Sequence, residues 1–371
     1  MVSEAKEAWL EGVERFSGNP SSLHRVGDRA ERALGEARER VASILDCHPL
    51  DILWTSGATE ANNTVFWDIA ARGGRGSVLL SRIEHPCALR ASERWLESRR
   101  EWLEVNSYGI VDLEGLEARL QAGGVSLVGV MAANNETGVI QPWEQIAALC
   151  EAYGVDYFCD AAQWLGKEPA RGLGAAAYVS GSGHKFGGPR GVGFLKIPKR
   201  GLTSGLLLGG SQERGFRAGT ENVPGALALA AALELRERAV GAGWREAARG
   251  RREMFATRLR ENVPGIRFVG EEAPHRLWNT CMALMPETEC PARWVVKLDK
   301  AGVAVSSGSA CASGEEKGSH VLLSMGYTDS EAARALRFSG SWETTEEEWV
   351  ELAETVGKVA RELMPEAEFS S

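Results

Sequence analysis

From residue 21 to about 197, short apolar runs alternate with amphipathic stretches, and this alternation restricts the chain to few folds. "SSLHRVGDRAERALGEARERVASIL" has helical periodicity behind a serine start signal. The apolar runs "DILWTSG", "SVLLSRIEH", "WLEVN", "VSLVGVMAAN" and "VDYFCDAAQ" then alternate with helical stretches such as "TEANNTVFWDIAARG" and "WEQIAALCEAYG". Strands that alternate with helices build βαβ units, giving a mostly parallel sheet covered on both faces. The expected fold class is therefore α/β. A large, mostly parallel α/β/α domain is expected over residues 17–240. Residues 1–16 and 241–371 are expected to form a smaller α+β domain, closed by the charged helix "TTEEEWVELAETVGKVARELM".

At 371 residues, two lobes are the default expectation. A formal charge of −9 argues against direct nucleic-acid binding. No apolar run reaches the roughly 18 residues needed to span a bilayer, and "MVSEAKEAWLEGVERF" reads as an acidic amphipathic helix, not a secretory signal. The seven cysteines show no CxxC pair, no disulfide-scaffold spacing and no metal-ligand clustering. An odd count without a signal points to free thiols in a reducing, cytoplasmic setting. Cys150, Cys159 and Cys281 fall in apolar periodic stretches and read as small buried hydrophobes. Cys47 and Cys290 lie near loops and carry no further signal.

In sheets of this kind, ligands sit outside the carboxyl ends of the strands. Those ends are rich in polar residues here: Ser56–Thr59, Glu84–His85, Asn134–Glu136, Asp160–Gln163 and Ser182–Lys185. "TSGATEANN" is a plain helix start or an anion-binding turn whose donors are backbone N–H groups and the Thr59 hydroxyl. Lys185, flanked by glycines in "SGSGHKFGG", is a surface lysine or one able to form a Schiff base with an aldehyde. Asp160, ending a buried run, is a helix cap or the partner of a buried cation such as a pyridinium. His85 fits a core histidine, a ring-stacking group or a proton relay. Cys311 sits in "SSGSACASGEEKG", where small residues give backbone freedom, and is a passive loop thiol or a mobile nucleophile.

Taken together, "GNPSSLH", "TSGATEANN", "EHP", "NNETGVIQP", "DAAQ", "SGHKFGGPRGVGFL", "ERGFRAGTENVPG", "SSGSACASG" and "RFS" carry a resemblance. In order and spacing, from residue 17 to 342, the chain resembles the cysteine desulfurases of the class V aminotransferase group. These have the fold-type I architecture of pyridoxal phosphate enzymes. The resemblance implies a cofactor of pyridoxal 5'-phosphate attached at Lys185, with Asp160 on the pyridine nitrogen and Gln163 on the ring oxygen. It implies His85 stacked on the ring and the phosphate held by Ala58, Thr59, Ser182 and His184. Thr220 would reach in from a second subunit, making a homodimer. Asn135 and Arg337 would hold the substrate carboxylate. Cys311 would attack the sulfur of bound L-cysteine, leaving L-alanine and a persulfide for an acceptor such as an iron–sulfur scaffold or a tRNA-thiolation protein.

Two departures shape these expectations. The family's opening strand and loop, of the kind "YLDNAATT", has no counterpart before Asn19. A substrate site that is more open, or completed by another chain, is the expectation drawn from this. Cys87 in "EHPCAL" stands where alanine is usual, as a buried bystander or a second reactive thiol. Selenocysteine lyase or another β-lyase, and a partner-dependent or non-catalytic sulfur-relay homologue, are the alternative functions.

Overall fold

The computed structural model describes residues 1–241, 243–307, 318–365 and 369. The chain divides into two units. The first comprises Met1–Leu103, Asp112–Ala132 and Pro142–Ala242; the second comprises Glu104–Val111, Ala133–Gln141 and Gly243–Ser371.

In the first unit, helices α1 (Ser3–Arg15) and α2 (Arg25–Leu45) precede β1 (Ile52–Thr55), α3 (Ala58–Ala71), β2 (Ser77–Ser81) and α4 (Pro86–Leu96). Then come β3 (Arg100–Leu103), α5 (Leu113–Gln121), β4 (Val125–Gly129), α6 (Trp143–Ala152) and β5 (Asp156–Asp160). The unit ends with β6 (Tyr178–Ser182), β7 (Gly193–Lys196) and α7 (Val223–Gly241). The seven strands form one sheet in the order β1-β7-β6-β5-β4-β2-β3. Strands β2 to β6 pair parallel, as expected of βαβ units, whereas β7 runs antiparallel to both β6 and β1. Strand β1 is thereby parallel to β6, and the carboxyl ends of β1, β2, β5 and β6 lie on one edge. Leu53, Val65, Phe66, Leu80, Phe158 and Leu195 are fully buried in the core between this sheet and its helices.

Two glycines let the turns after β1 and β6 approach. Gly193 pairs with Thr55 on one side and Ser182 on the other. A Cβ there would lie 2.4 Å from the Gly181 carbonyl and 2.6 Å from the Gly57 Cα. Gly57, at φ +148°, adopts a backbone that side chains disfavour. Outer strand β1 is braced from its free side: Trp54 N–H donates to Glu213 at 3.1 Å, and Arg38 holds that carboxylate bidentately at 2.7 and 2.9 Å.

The sequence reading grouped residues 1–16 with the smaller domain; α1 belongs instead to the first unit. Val2 N–H donates to the Gly187 carbonyl at 2.8 Å, and α1 packs on α7 so closely that a Cβ on Gly12 would stand 2.7 Å from Pro224. An amphipathic pattern says that a helix must bury one face, not which neighbour will cover it.

The second unit contains α8 (Trp244–Asn262), β8 (Arg267–Phe268), β9 (Thr280–Leu284), α9 (Ala292–Lys300) and β10 (Ser306–Ser307). It closes with α10 (His320–Ser324), α11 (Asp329–Ala333), β11 (Ala335–Ser339) and α12 (Glu346–Leu363). Its antiparallel sheet runs β10-β11-β9-β8. Phe255, Trp294, Phe338 and Trp349 centre its core.

Candidate active site

Strand β5 is buried throughout its last four residues, so its final side chain, Asp160, enters an environment with little water. The carboxylate is held from two sides. Oδ1 accepts from the Ala162 N–H at 2.9 Å, and Oδ2 accepts from Asn62 Nδ2 at 2.7 Å. Both donors are neutral, which leaves the negative charge to be matched by a cation. Asn62 is fully buried on α3. The sequence reading missed it, although a polar residue on a helix stripe otherwise made of Ala61, Val65, Phe66 and Ile69 was a legible signal.

The turn after β1 opens α3 with a glycine cap that supplies no side-chain acceptor. The first N–H groups of this helix, including those of Ala58 and Thr59, are an anion-binding terminus with the dipole behind them. Facing that turn, Ser182 Oγ would lie 3.3 Å from a Cβ at Gly57. Ser182 Oγ is also 3.0 Å from His184 Nδ1. Burial, then the positive charges of Lys185, Arg190 and Lys167, hold the His184 imidazole below its usual value. Ala58, Thr59, Ser182 and His184 therefore gather at one sheet edge.

Lys185 follows in the short turn after β6. Beneath it lies a second lysine that the sequence reading passed over. Lys167 is 3% exposed, and its Nζ donates to the carbonyl of Gln163 at 3.1 Å and approaches that of Lys185 at 3.5 Å. Burial, then the charge of Lys185, pulls its ammonium down to about 7. It ties the Gln163 turn to the Lys185 turn. The signal for it was a lysine four residues after Gln163, one helical step along the chain.

His85 caps α4, its Nδ1 accepting from the Cys87 N–H at 3.2 Å. The Cys87 thiol, next to that ring, is pushed up to about 12 by burial first and then by the negative charge of Asp160. A half-buried thiol held that high is mostly protonated at neutral pH, which favours the bystander reading. Glu84, fully buried, accepts from Met131 N–H at 2.8 Å and is pushed up to about 8 by burial. Thr220 stands exposed in the loop before α7.

The turn Asn134–Glu136 belongs to the second unit, as does Arg337 on β11. Arg337 Nη1 donates to the Asn135 carbonyl at 2.6 Å and Nη2 to Ser306 Oγ at 3.2 Å, while Nε has no hydrogen-bond partner among the described residues. A guanidinium fixed by neutral acceptors keeps its charge for an anion. Neighbouring Glu136, 7% exposed, accepts from Ser319 Oγ, and burial pushes it up to about 7. Cys311 lies outside the described residues.

These residues fit pyridoxal phosphate: a buried acid for a protonated ring nitrogen, anion donors for a phosphate, and a lysine on the adjoining turn. Comparison with known proteins agrees. Residues 3–352 match the family described as aminotransferase class-V. "Cysteine desulfurase 2" of Trichormus variabilis is 36% identical over 374 residues, covering 100% of this chain and 92% of that protein. A cysteine desulfurase of Cereibacter sphaeroides is 37% identical over 378 residues, covering 100% and 96%. Among solved structures, a NifS-like protein superposes with a TM-score of 0.88 at 30% identity, covering 98% of this chain and 97% of its own. DndA from Streptomyces lividans gives 0.78 at 31% identity, with coverage of 91% and 96%. Family profile, sequence and backbone agree along most of the length, and the chain belongs to the class-V aminotransferase family, among its pyridoxal-phosphate-dependent cysteine desulfurases.

Proposed function

We propose that this enzyme takes the sulfur of L-cysteine and passes it on through Cys311. The observation that carries the assignment of residues is the buried Asp160 carboxylate, oriented by Asn62 and Ala162 on the sheet edge that bears Lys185. When bound, pyridoxal phosphate supplies an electron sink for carbanions on the substrate.

The chain's own groups do the rest. Asp160 keeps the ring nitrogen protonated, and Asn62 keeps Asp160 aimed. The first turn of α3, with Thr59, Ser182 and His184, receives the phosphate. Gln163 would bond the ring oxygen, and His85 would lie against the ring. Lys185 would be the attachment point and the base that takes the proton from the substrate α-carbon and returns it to form L-alanine. Arg337, with Asn135, receives the substrate carboxylate as a fork. The Cys311 thiolate attacks the substrate sulfur. The carbon–sulfur bond breaks, a sulfur–sulfur bond forms, and a proton completes the methyl group of L-alanine. No outside oxidant is needed.

A homodimer is supported by the exposure of Thr220, which suits a residue serving a second copy's phosphate turn. The acceptor would be a protein such as an iron–sulfur scaffold or a tRNA-thiolation protein. Among the described residues no helix is long and apolar enough to cross a membrane, and a cytoplasmic setting is proposed with the thiol chemistry.

The test is incubation of cofactor-loaded enzyme with L-cysteine, with alanine quantified and tryptic peptides weighed. One added sulfur on the Cys311 peptide is expected. Cys311→Ala should retain the cofactor's visible absorbance and lose the persulfide, and Lys185→Ala should lose the lysine-linked spectrum. A loaded enzyme that forms no alanine would refute the assignment.

A further inference from the structure

The second unit holds an open-sided cavity of about 490 Å³. Arg249, Arg252, Arg260 and Arg276 line it, against Glu253 and Glu271. Arg260 pairs with Glu271 and Arg252 with Glu253, yet in a chain of net charge −9 the four guanidiniums of this lining outnumber its two carboxylates.

Two of these arginines are deeply placed: Arg252 is 5% exposed and Arg276 is 9% exposed. Backbone carbonyls steer both. Arg252 Nη1 donates to Leu277 at 2.7 Å, and Arg276 Nη1 to Val269 at 3.4 Å. Such acceptors fix direction and leave the charge in place. Among the described residues, the carboxylate paired with Arg252 is that of Glu253 at 3.2 Å, 68% exposed and screened by water. Arg252 Nε, buried, has no hydrogen-bond partner among the described residues. Burial and the neighbouring charge of Arg276 bring the Arg252 guanidinium down to about 10. Like charges withdrawn from water destabilise a fold unless an anion joins them.

The walls are preformed. His275 O accepts from Ile140 N–H at 3.0 Å and Leu277 N–H donates to Gly138 O at 2.8 Å, so the arginine-bearing segment is stitched to its neighbour. A rigid site loses less entropy on binding.

We propose that this cavity binds a small hydroxylated organic phosphate, separately from the cofactor. Guanidinium forks match phosphate oxygens, and several of them match a dianion better than a carboxylate. The volume falls in the range of small-molecule sites, about 300–1,000 Å³, and leaves space beside the phosphate. Glu253, largely exposed at the mouth, is an acceptor for a hydroxyl group on the remainder of the ligand, while Glu271 is already paired with Arg260.

The experiment is isothermal titration of the cofactor-loaded enzyme, whose own phosphate turn is then filled, with glycerol 3-phosphate, inorganic phosphate and glycerol. Glycerol 3-phosphate is expected to saturate one site per chain, inorganic phosphate to bind the same site more weakly, and glycerol not at all. Arg276→Gln should weaken glycerol 3-phosphate at least about tenfold. That variant should unfold no earlier than the parent in the absence of ligand, because a buried like charge has gone. Arg260→Gln, at the half-exposed rim, is a second variant that spares the interior and should weaken binding several-fold. Absence of saturation by glycerol 3-phosphate, or unchanged affinity in both variants, would overturn the proposal.

Discussion

The thiol sulfur of Cys87 lies 2.9 Å from His85 Nδ1. Asn62 Nδ2 donates to the same sulfur at 3.1 Å and to Asp160 Oδ2 at 2.7 Å. His85, Cys87, Asn62 and Asp160 thus form a continuous polar chain. His85 Nδ1 already accepts from the Cys87 N–H, which puts the proton of the neutral ring form on Nε2 and leaves the thiol beside Nδ1.

Long-range proton–nitrogen NMR of histidine-labelled enzyme should therefore show His85 as the Nε2–H tautomer, its signals assigned by their loss in His85→Asn. Cys87→Ala removes the sulfur beside Nδ1, so the Nδ1 resonance should move further downfield, and Cys87→Ser, which keeps a donor there, should restore it. An Nδ1–H tautomer in the parent enzyme would contradict the arrangement.

Asn62→Ala deprives Asp160 of a hydrogen bond to a charged group, worth about 1.5–3 kcal/mol. Cofactor affinity, followed by absorbance titration of the stripped protein, should fall about 10- to 100-fold. A variant that binds as tightly as the parent would show that Asn62 does not support the ring-nitrogen carboxylate.

Arg337→Lys keeps a positive charge and loses the fork. KM for L-cysteine should rise about 10- to 100-fold, from hydrogen bonds worth about 1.5–3 kcal/mol, with kcat changed less. The absorbance spectrum without cysteine should be unaltered. A spectrum changed before substrate is added would place Arg337 on the cofactor instead.

Glu136 gives a pH-dependent signature. Its carboxyl stands at about 7 in the fold against 4.5 as a free side chain, so the native state prefers the protonated form. Its favourable contribution is complete below 4.5 and is lost as pH rises through 7. Glu136→Gln, which still accepts from Ser319, should gain stability on the parent across that window, by about 3 kcal/mol at pH 8. Urea denaturation at pH 5 and pH 8 measures the difference; a gap that stays constant would refute it.

The parallel strands and the lysine turn were legible because each strand is an apolar run that stops on small polar residues. The antiparallel course of β7 was not, since "GVGFLKI" reads the same in either direction. Asn62 and Lys167 escaped notice for a common reason. Each is a polar side chain buried against backbone or carboxylate partners distant in sequence or hidden in a turn, and composition ranks such residues as surface. The asparagine turn, which the sequence marks as a polar strand end, falls with β11 and Arg337 in the second unit.

Strand β1 has a single sheet neighbour, and that neighbour is β7, with Ile52 opposite Lys196. During synthesis β1 emerges early and must wait, unpaired, while the strands between them are made. The glycine-capped start of α3 can meet Ser182 only after Gly193 has left the ribosome. A nascent polypeptide that stops short of that point lacks the paired turns proposed to receive the cofactor's phosphate.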